Sequence, residues 1–266
     1  MKKIFKILAL PALAAVFAIS LASCSDQYAG NYQEANEEQI TSFQQKVSDV
    51  QAEQQANQKN VEVSANMSGN VSGSGYSGNI SFSFDNVCDF TSDETKTLTY
   101  TTCNYNMNLN VQGVGGGNVK LDYELWTDDA IGYLKAKTNY AGYNDEVKIK
   151  GSLDGSSFSE YTSMVSQYKN MAEKYDLQTV VEQLNKSGAK VYVDGDNKLK
   201  LEFTEQNVQV YIYVLFGQDN TYSMKIDMPE FNYSTSGIGM KMKMTVEIKP
   251  TGKTVTLPNA SDFTQA

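Results

Sequence analysis

Two spacings of apolar residues divide the chain. Ile40, Phe43, Val47 and Val50 recur mostly at three- or four-residue steps behind Glu37 and Glu38. This is the signature of one buried helix face, with acids placed where the helix dipole favours them. The pattern fades through a Gln- and Ala-rich stretch toward Lys59-Asn60. From Val61 the period becomes two. Val61, Val63, Ala65 and Met67 alternate with polar residues, as do Ile80, Phe82 and Phe84, and then Val119, Leu121, Tyr123 and Leu125. Between them, Tyr105, Met107, Leu109 and Val111 take one side of a strand and Asn104, Asn106, Asn108 and Asn110 the other. Ile131-Tyr133 and Val147-Ile149 predict shorter strands, and Gly-rich breaks at 73–78 and 113–117 predict hairpin turns.

One helical segment interrupts the strands. Ser157 and Glu160 form a capping box. Phe158, Tyr161, Met164, Val165, Tyr168, Met171, Ala172 and Tyr175 then follow helical spacing. Asp176 can cap a second helix that Gly188 ends, which makes a helical insertion of about 157–187. Strands resume at Val191-Val193, turn at Asp194–Asn197, and continue through 199–203, 208–216, 222–228, 231–233, 238–248 and 255–257. One-sided alternation over roughly a dozen strands gives an antiparallel sheet with one wet face. The fold class expected is mainly β (α+β): a single strongly curved antiparallel sheet, an unclosed barrel, with helices covering its apolar concave face.

The first residues carry a different message. Lys2, Lys3 and Lys6 precede an apolar run from Ile7 to Ile19, too short to span a bilayer. Leu21-Ala22-Ser23-Cys24 follows and resembles the bacterial lipobox. Residues 1–23 are therefore read as a cleaved lipoprotein signal, and Cys24 as the site of lipid attachment. Two acyl chains hold stably where one is marginal, each buried methylene contributing about 0.8 kcal/mol. Residues 24–36 lack periodicity and read as a lipid-anchored flexible tether, and 37–266 as one domain. The expected address is the extracytoplasmic face of the plasma membrane, or the outer membrane in a two-membrane bacterium.

Composition then removes chemistry. The 266 residues include 22 Lys+Arg, every one of them Lys, against 31 Asp+Glu, and no His. The formal charge of −9 becomes −12 once the three leader lysines are gone. Without His there is no Ser-His or Cys-His nucleophile and no imidazole metal site; without Arg there is no bidentate phosphate clamp. The acidic balance argues against nucleic acid. Gly113, Gly115 and Gly117 precede a strand and read as a turn, and Gly252-Lys253-Thr254 lacks the upstream glycine of a phosphate loop. Ser166–Lys169 and Ser187–Lys190 match Ser-x-x-Lys without companion motifs. Asp128-Asp129 reads as a solvated turn. No catalytic residue, metal or cofactor is assigned.

Two features bear on binding. Ile238, Met240, Met242, Met244, Val246 and Ile248 share one face, Met224 and Met228 continue its character on the preceding strand, and Met67, Met107, Met164 and Met171 can join it. Methionine is flexible and polarizable, so such a face either lines a cavity for an apolar ligand or fills an irregular core. Cys88 and Cys103 are the remaining thiols; in an oxidising compartment a disulfide closing a loop of about 15 residues would contribute up to ~3 kcal/mol.

The order of lipobox, tether, helix, long strands, helical insertion and strands, closing on Lys253-Thr254-Val255-Thr256-Leu257-Pro258, resembles the LolA/LppX-like superfamily of lipoproteins and lipoprotein carriers. The resemblance implies an unclosed barrel lidded by helices around a lipid cavity, lined here by Met224, Met228, Ile238, Met240, Met242, Met244, Val246, Tyr168 and Met171. The arginine by which the carrier engages its partner lipoprotein has no counterpart, because this chain has none. The function expected is a non-enzymatic surface lipoprotein that binds or shields a hydrophobic ligand. The alternative is a solid-core surface protein whose Tyr- and Asn-rich faces contact protein or glycan.

Overall fold

The computed structural model describes residues 27–56, 59–73, 75–93, 96–113, 115–140, 142–153, 158, 180–182, 188–205, 207–217, 220–235 and 238–266. Asn36 starts the helix α1 (Glu37–Ala56). Gln39 N–H donates to Asn36 Oδ1 at 2.9 Å, and Asn36 N–H donates to Gln39 Oε1 at 3.0 Å. This reciprocal pair satisfies donors that a helix start leaves free. Phe43, Val47 and Val50 are buried in the main core, and the Phe43 ring lies 5.7 Å from that of Phe216. The helix face read from spacing is the face that packs on the sheet.

Thirteen strands form that sheet: β1 (Gln33–Glu34), β2 (Val61–Gly73), β3 (Tyr76–Asp89), β4 (Leu98–Val111), β5 (Gly115–Thr127), β6 (Ile131–Tyr140), β7 (Tyr143–Ser152), β8 (Lys190–Asp194), β9 (Lys198–Glu205), β10 (Val208–Phe216), β11 (Tyr222–Thr235), β12 (Ile238–Pro250) and β13 (Thr264–Gln265). Two meanders, β2 to β7 and β8 to β12, join where β12 runs antiparallel to β2 from Ile238↔Gly73 to Pro250↔Val61. β1 adds to the free edge of β8, and β13 adds in parallel to β7. The outermost strands do not meet, so the sheet is curved but not closed.

The period-two pattern sorts the faces as expected. One inner row runs Met228, Met244, Met67, Phe82, Tyr105 and Leu121 across six strands and over the seam between the meanders. Gly132 and Gly151 pair across β6 and β7, and the Phe158 ring rests on both: a Cβ at Gly132 would meet Phe158 Cε1 at 2.8 Å. Phe158 and Val180 are fully buried in the core. The rest of the helical insertion read at 157–187, with the cap formed by Ser157 and Glu160, lies outside the described residues.

Three expectations need correction. The segments 222–228 and 231–233 are one strand, β11, with a bulge between Met228 and Phe231. Pro229, which has no N–H to give the ladder, sits inside that bulge. Residues 255–257 are not a strand. Val255 is buried because the chain crosses the end of the sheet there, donating its N–H to Asp89 Oδ2 at 2.8 Å. The flexible tether is docked from Gln27 onward. Tyr28 is only 3 % exposed, Lys198 Nζ donates to the Ala29 carbonyl at 2.6 Å, and Ala35 N–H donates to the Val191 carbonyl at 2.9 Å. Its tyrosines supply apolar area that a spacing test cannot see, because they bury against tertiary neighbours rather than in a regular element.

Candidate functional site

The methionine face lies inside. Met224 is 0 %, Met244 1 % and Met242 3 % exposed; Met228 and Val246 are buried too, and Met240 is partly buried. Register brings them together: Met224 faces Ile248, Met228 faces Met244, and Met244 faces Met67. Met242 packs over Gly69, where a Cβ would meet its sulfur at 2.4 Å. Tyr105 donates its hydroxyl to Met107 Sδ at 3.1 Å, and burial raises its pKa. Ile238 is placed on β12 opposite Gly73. Tyr168 and Met171 lie outside the described residues, as do the signal and Cys24.

An apolar crevice opens at the lower end of this face, the end where α1 finishes. It holds about 220 Å³ between the last turns of the helix and the sheet, and Val61, Phe90, Tyr222, Ile248 and Pro250 line it. Ile248 is the next inner position after Val246, so the crevice continues the methionine face.

The two cysteines do not pair. Cys88 lies opposite Thr99 and Cys103 opposite Phe84. Four residue steps along a strand are about 13 Å, beyond the ~7 Å Cα separation a disulfide tolerates. Neither forms a disulfide; Cys88 Sγ donates to Asn86 Oδ1 at 3.0 Å. Burial pushes the Cys103 thiol up, aided by Asp122 and opposed by a hydrogen bond from Tyr123, so it stays protonated and inert. Proximity in sequence suggested the bridge, and strand register removes it.

The acidic pair at Asp128-Asp129 is a turn, as read, but only Asp129 is solvated and Asp128 is buried. Asp128 Oδ1 accepts from the N–H groups of Ala130 and Ile131, and Asp129 Oδ2 accepts from Thr97 N–H. Burial raises the Asp128 pKa, but those backbone donors and Lys96 outweigh it and leave it lowered. Among the described residues no group of three or more acidic or Cys side chains could hold a metal. No described helix is long and apolar enough to cross a membrane.

The outer face is divided along the strands. At its lower end both chain termini strap it. The N-terminal strap lays Tyr28 and Tyr32 against Tyr213, at 6.3 and 6.0 Å between ring centroids. Lys225 Nζ sits 5.8 Å over the Tyr28 ring and Lys200 Nζ 4.8 Å over that of Tyr211. The C-terminal strap sets Phe263 edge-on to Trp126 and Tyr133, at 6.4 and 5.5 Å. Asp89 holds this strap. It is fully buried and accepts from the N–H and hydroxyl groups of Thr91 and Ser92 as well as from Val255 N–H. Burial alone would raise its pKa, but these donors keep its carboxyl far below the usual carboxylate range.

At the upper end the outer face is bare. Asn70, Asn79, Asn108 and Asn118 occupy one row across β2 to β5. Ser68, Ser81 and Asn106 form the row beside it. Asn118 Nδ2 donates to both Asn106 Oδ1 and Asn108 Oδ1, at 3.1 and 2.6 Å. Two adjoining hollows of about 460 and 900 Å³ share Asn70, Asn79 and Asn108 and make one trough. The β11 bulge walls one side through Pro229 and Glu230, and Glu230 pairs with Lys241 at 2.9 Å. Asn104 to Asn110 announce one wall of this trough in the sequence. Register alone reveals Asn70, Asn79 and Asn118 as its other members.

No family model matches this chain, and no curated protein does. Among solved structures, the chain is similar to a β-barrel-like protein of a domain of unknown function, DUF1849, from Brucella abortus, at 9 % identity and a TM-score of 0.27 over 72 % of this chain and 99 % of that one. It is also similar to a DUF1329 family protein from Desulfovibrio piger, at 13 % identity and a TM-score of 0.21 over 83 % of this chain and 98 % of that one. At these TM-scores the likeness carries no functional meaning.

Proposed function

We propose that the protein is a membrane-anchored, non-enzymatic surface lipoprotein that takes a hydrophobic, lipid-like group against the inner face of its half-barrel. The observation that carries this reading is the apolar crevice, which continues the methionine face and opens where the anchor belongs. Gln27 Nε2 donates to Glu247 Oε1 at 3.0 Å, and Glu247 precedes Ile248 in the crevice wall. Three residue steps separate Gln27 from Cys24, a reach of about 10 Å. Acyl chains on Cys24 would therefore hold the crevice end of the body against the bilayer. Methionine side chains repack at low cost, so an entering chain can displace them and deepen the crevice.

Native mass spectrometry of the mature chain carrying Cys24→Ser, with uptake of a fluorescent fatty acid, tests it. Co-purifying lipid or saturable uptake, weakened by Ile248→Asp at the mouth, is expected. Consistently ligand-free protein that takes up no probe overturns it.

A second reading has its own observation. Met224, Met244 and Met67 are all but fully buried by protein atoms, as in a solid core. The protein would then act from the surface through its outer face, against protein or glycan.

A further inference from the structure

We propose that the bare upper end of the outer face is a binding site for an uncharged polysaccharide, lying across β2 to β5 in the trough of Asn70, Asn79, Asn108 and Asn118. This deepens the second reading by naming the site and the ligand class. It does not depend on whether the interior takes lipid.

The argument starts from what the row offers. A primary amide presents two donors and one acceptor with two lone pairs, and a serine hydroxyl one donor and two lone pairs. A sugar hydroxyl also donates and accepts, so each rung of the row can meet it in both senses. Neighbouring strands are about 4.8 Å apart, so four asparagines in one row span roughly 14 Å. Their repeat is commensurate with successive pyranose rings in an extended chain. The trough has the volume of a ligand site, on the order of 300–1,000 Å³ for each hollow.

Glycines on the inner side let the strands close up beneath the asparagine row. Gly78 lies opposite Leu109, where a Cβ would meet the Asn108 carbonyl oxygen at 2.1 Å. Only glycine allows β3 and β4 to come so close. Gly69 gives the same freedom on β2, with Met242 packed beneath it. The side chains above are short, and the asparagines are partly pre-set: Asn118 holds Asn106 and Asn108 together. Side chains already fixed lose less entropy on binding.

Charge and composition choose among ligands. Glu230 and Lys241 at the wall neutralise each other, the asparagine row carries no charge, and Lys243 beside Ser68 adds a single cation at the edge, too little counter-charge to hold an anionic chain along the floor. A protein partner normally seats on aromatic, methionine or arginine anchors at the centre of the patch. The outer-face rings of Tyr213, Trp126 and Tyr133 lie under the two straps at the other end, and the exposed Tyr140 and Tyr143 sit at the β6–β7 hairpin outside the trough lining. What the floor of the trough offers is chiefly amide and hydroxyl. The site also faces outward: Ser64, on the Glu247 row, and Asn70 are six residues apart on β2, about 20 Å along the strand and away from the anchor.

Affinity electrophoresis of the mature Cys24→Ser chain through gels containing dextran, yeast mannan or laminarin, with heparin as the anionic control, decides the matter. Retardation by at least one neutral polysaccharide is expected, persisting in 0.5 M salt (about three times physiological ionic strength). It should weaken about tenfold or more in Asn79→Ala/Asn108→Ala. Asn79→Asp keeps the size of the side chain but removes its N–H donors, and should weaken binding too, at an unchanged melting temperature. Retardation by heparin alone, by none of the gels, or equally in wild type and variants overturns the proposal. If a native-surface protein is instead captured through Asn79 and Asn108, the ligand class fails while surface contact through this face stands.

Discussion

The two ends of the outer face belong to one sheet and end up opposite in character. At the lower end, aromatic rings on β5, β6 and β10 are covered by the chain's own termini, with Phe263 on Trp126 and Tyr133, and Tyr28 and Tyr32 on Tyr213. At the upper end, asparagine and serine on β2 to β5 stay open to solvent. The difference teaches how an open sheet handles a wet face. Apolar surface there needs a cover, and segments outside the ladder provide it. Uncharged polar surface needs none and remains available for a ligand.

Several substitutions would break or sharpen this contrast. Asp89→Asn should have the largest effect. It removes the charge that five donors converge upon and leaves the Val255 strap weakly held, at a cost of about 3 kcal/mol in thermal unfolding. The pH dependence follows from the lowered pKa of Asp89 in the folded state. Its contribution is present above the ordinary carboxylate value of about 3.9 and is lost as pH falls through that value toward the depressed one. The variant should therefore show a flatter acid limb, measured by melting temperature from pH 7 to pH 3. A steep acid limb retained in Asp89→Asn would show that other carboxylates govern it.

Gly78→Ala comes next. Its methyl group would press on the Asn108 carbonyl and splay β3 from β4, costing about 2 kcal/mol. Amide exchange should accelerate at the trough and not under the straps. Tyr28→Ala should cost about 1–2 kcal/mol through lost burial and expose residues 27–35 to protease while the sheet stays protected. A proteolytic pattern identical to wild type would contradict the role given to the strap. The smallest stability effect belongs to Asn79→Ala with Asn108→Ala. These exposed side chains should change stability by less than about 0.5 kcal/mol, which leaves any loss of polysaccharide binding attributable to the site itself.

Legibility in the sequence followed the range of the interactions involved. The α1 face of Phe43, Val47 and Val50, and the inner face holding Met67, Phe82 and Tyr105, were readable because helical and strand periods are set by local backbone geometry. The wet face of Asn104 to Asn110 was readable for the same reason. The Cys88–Cys103 bridge, the strand at 255–257 and the free tether were misread, since each turns on what a segment meets elsewhere. Val255 alternates like a strand residue, yet its N–H goes to Asp89 rather than to a ladder.

The sequence by itself determined which side chains share a face, and hence that the protein is a one-sided sheet with an apolar interior. It also determined the absence of His and Arg, which bars much of the chemistry of catalysis and of phosphate recognition. Tertiary structure decided which faces meet. It joined β12 to β2, the last long strand to the first, and so aligned Met244 with Met67. Within the first meander it aligned Asn70 with Asn79, Asn108 and Asn118. Register is fixed by turn geometry and by burial of a whole face at once, because a one-residue slip would turn every apolar side chain to water. No local window of sequence contains that comparison.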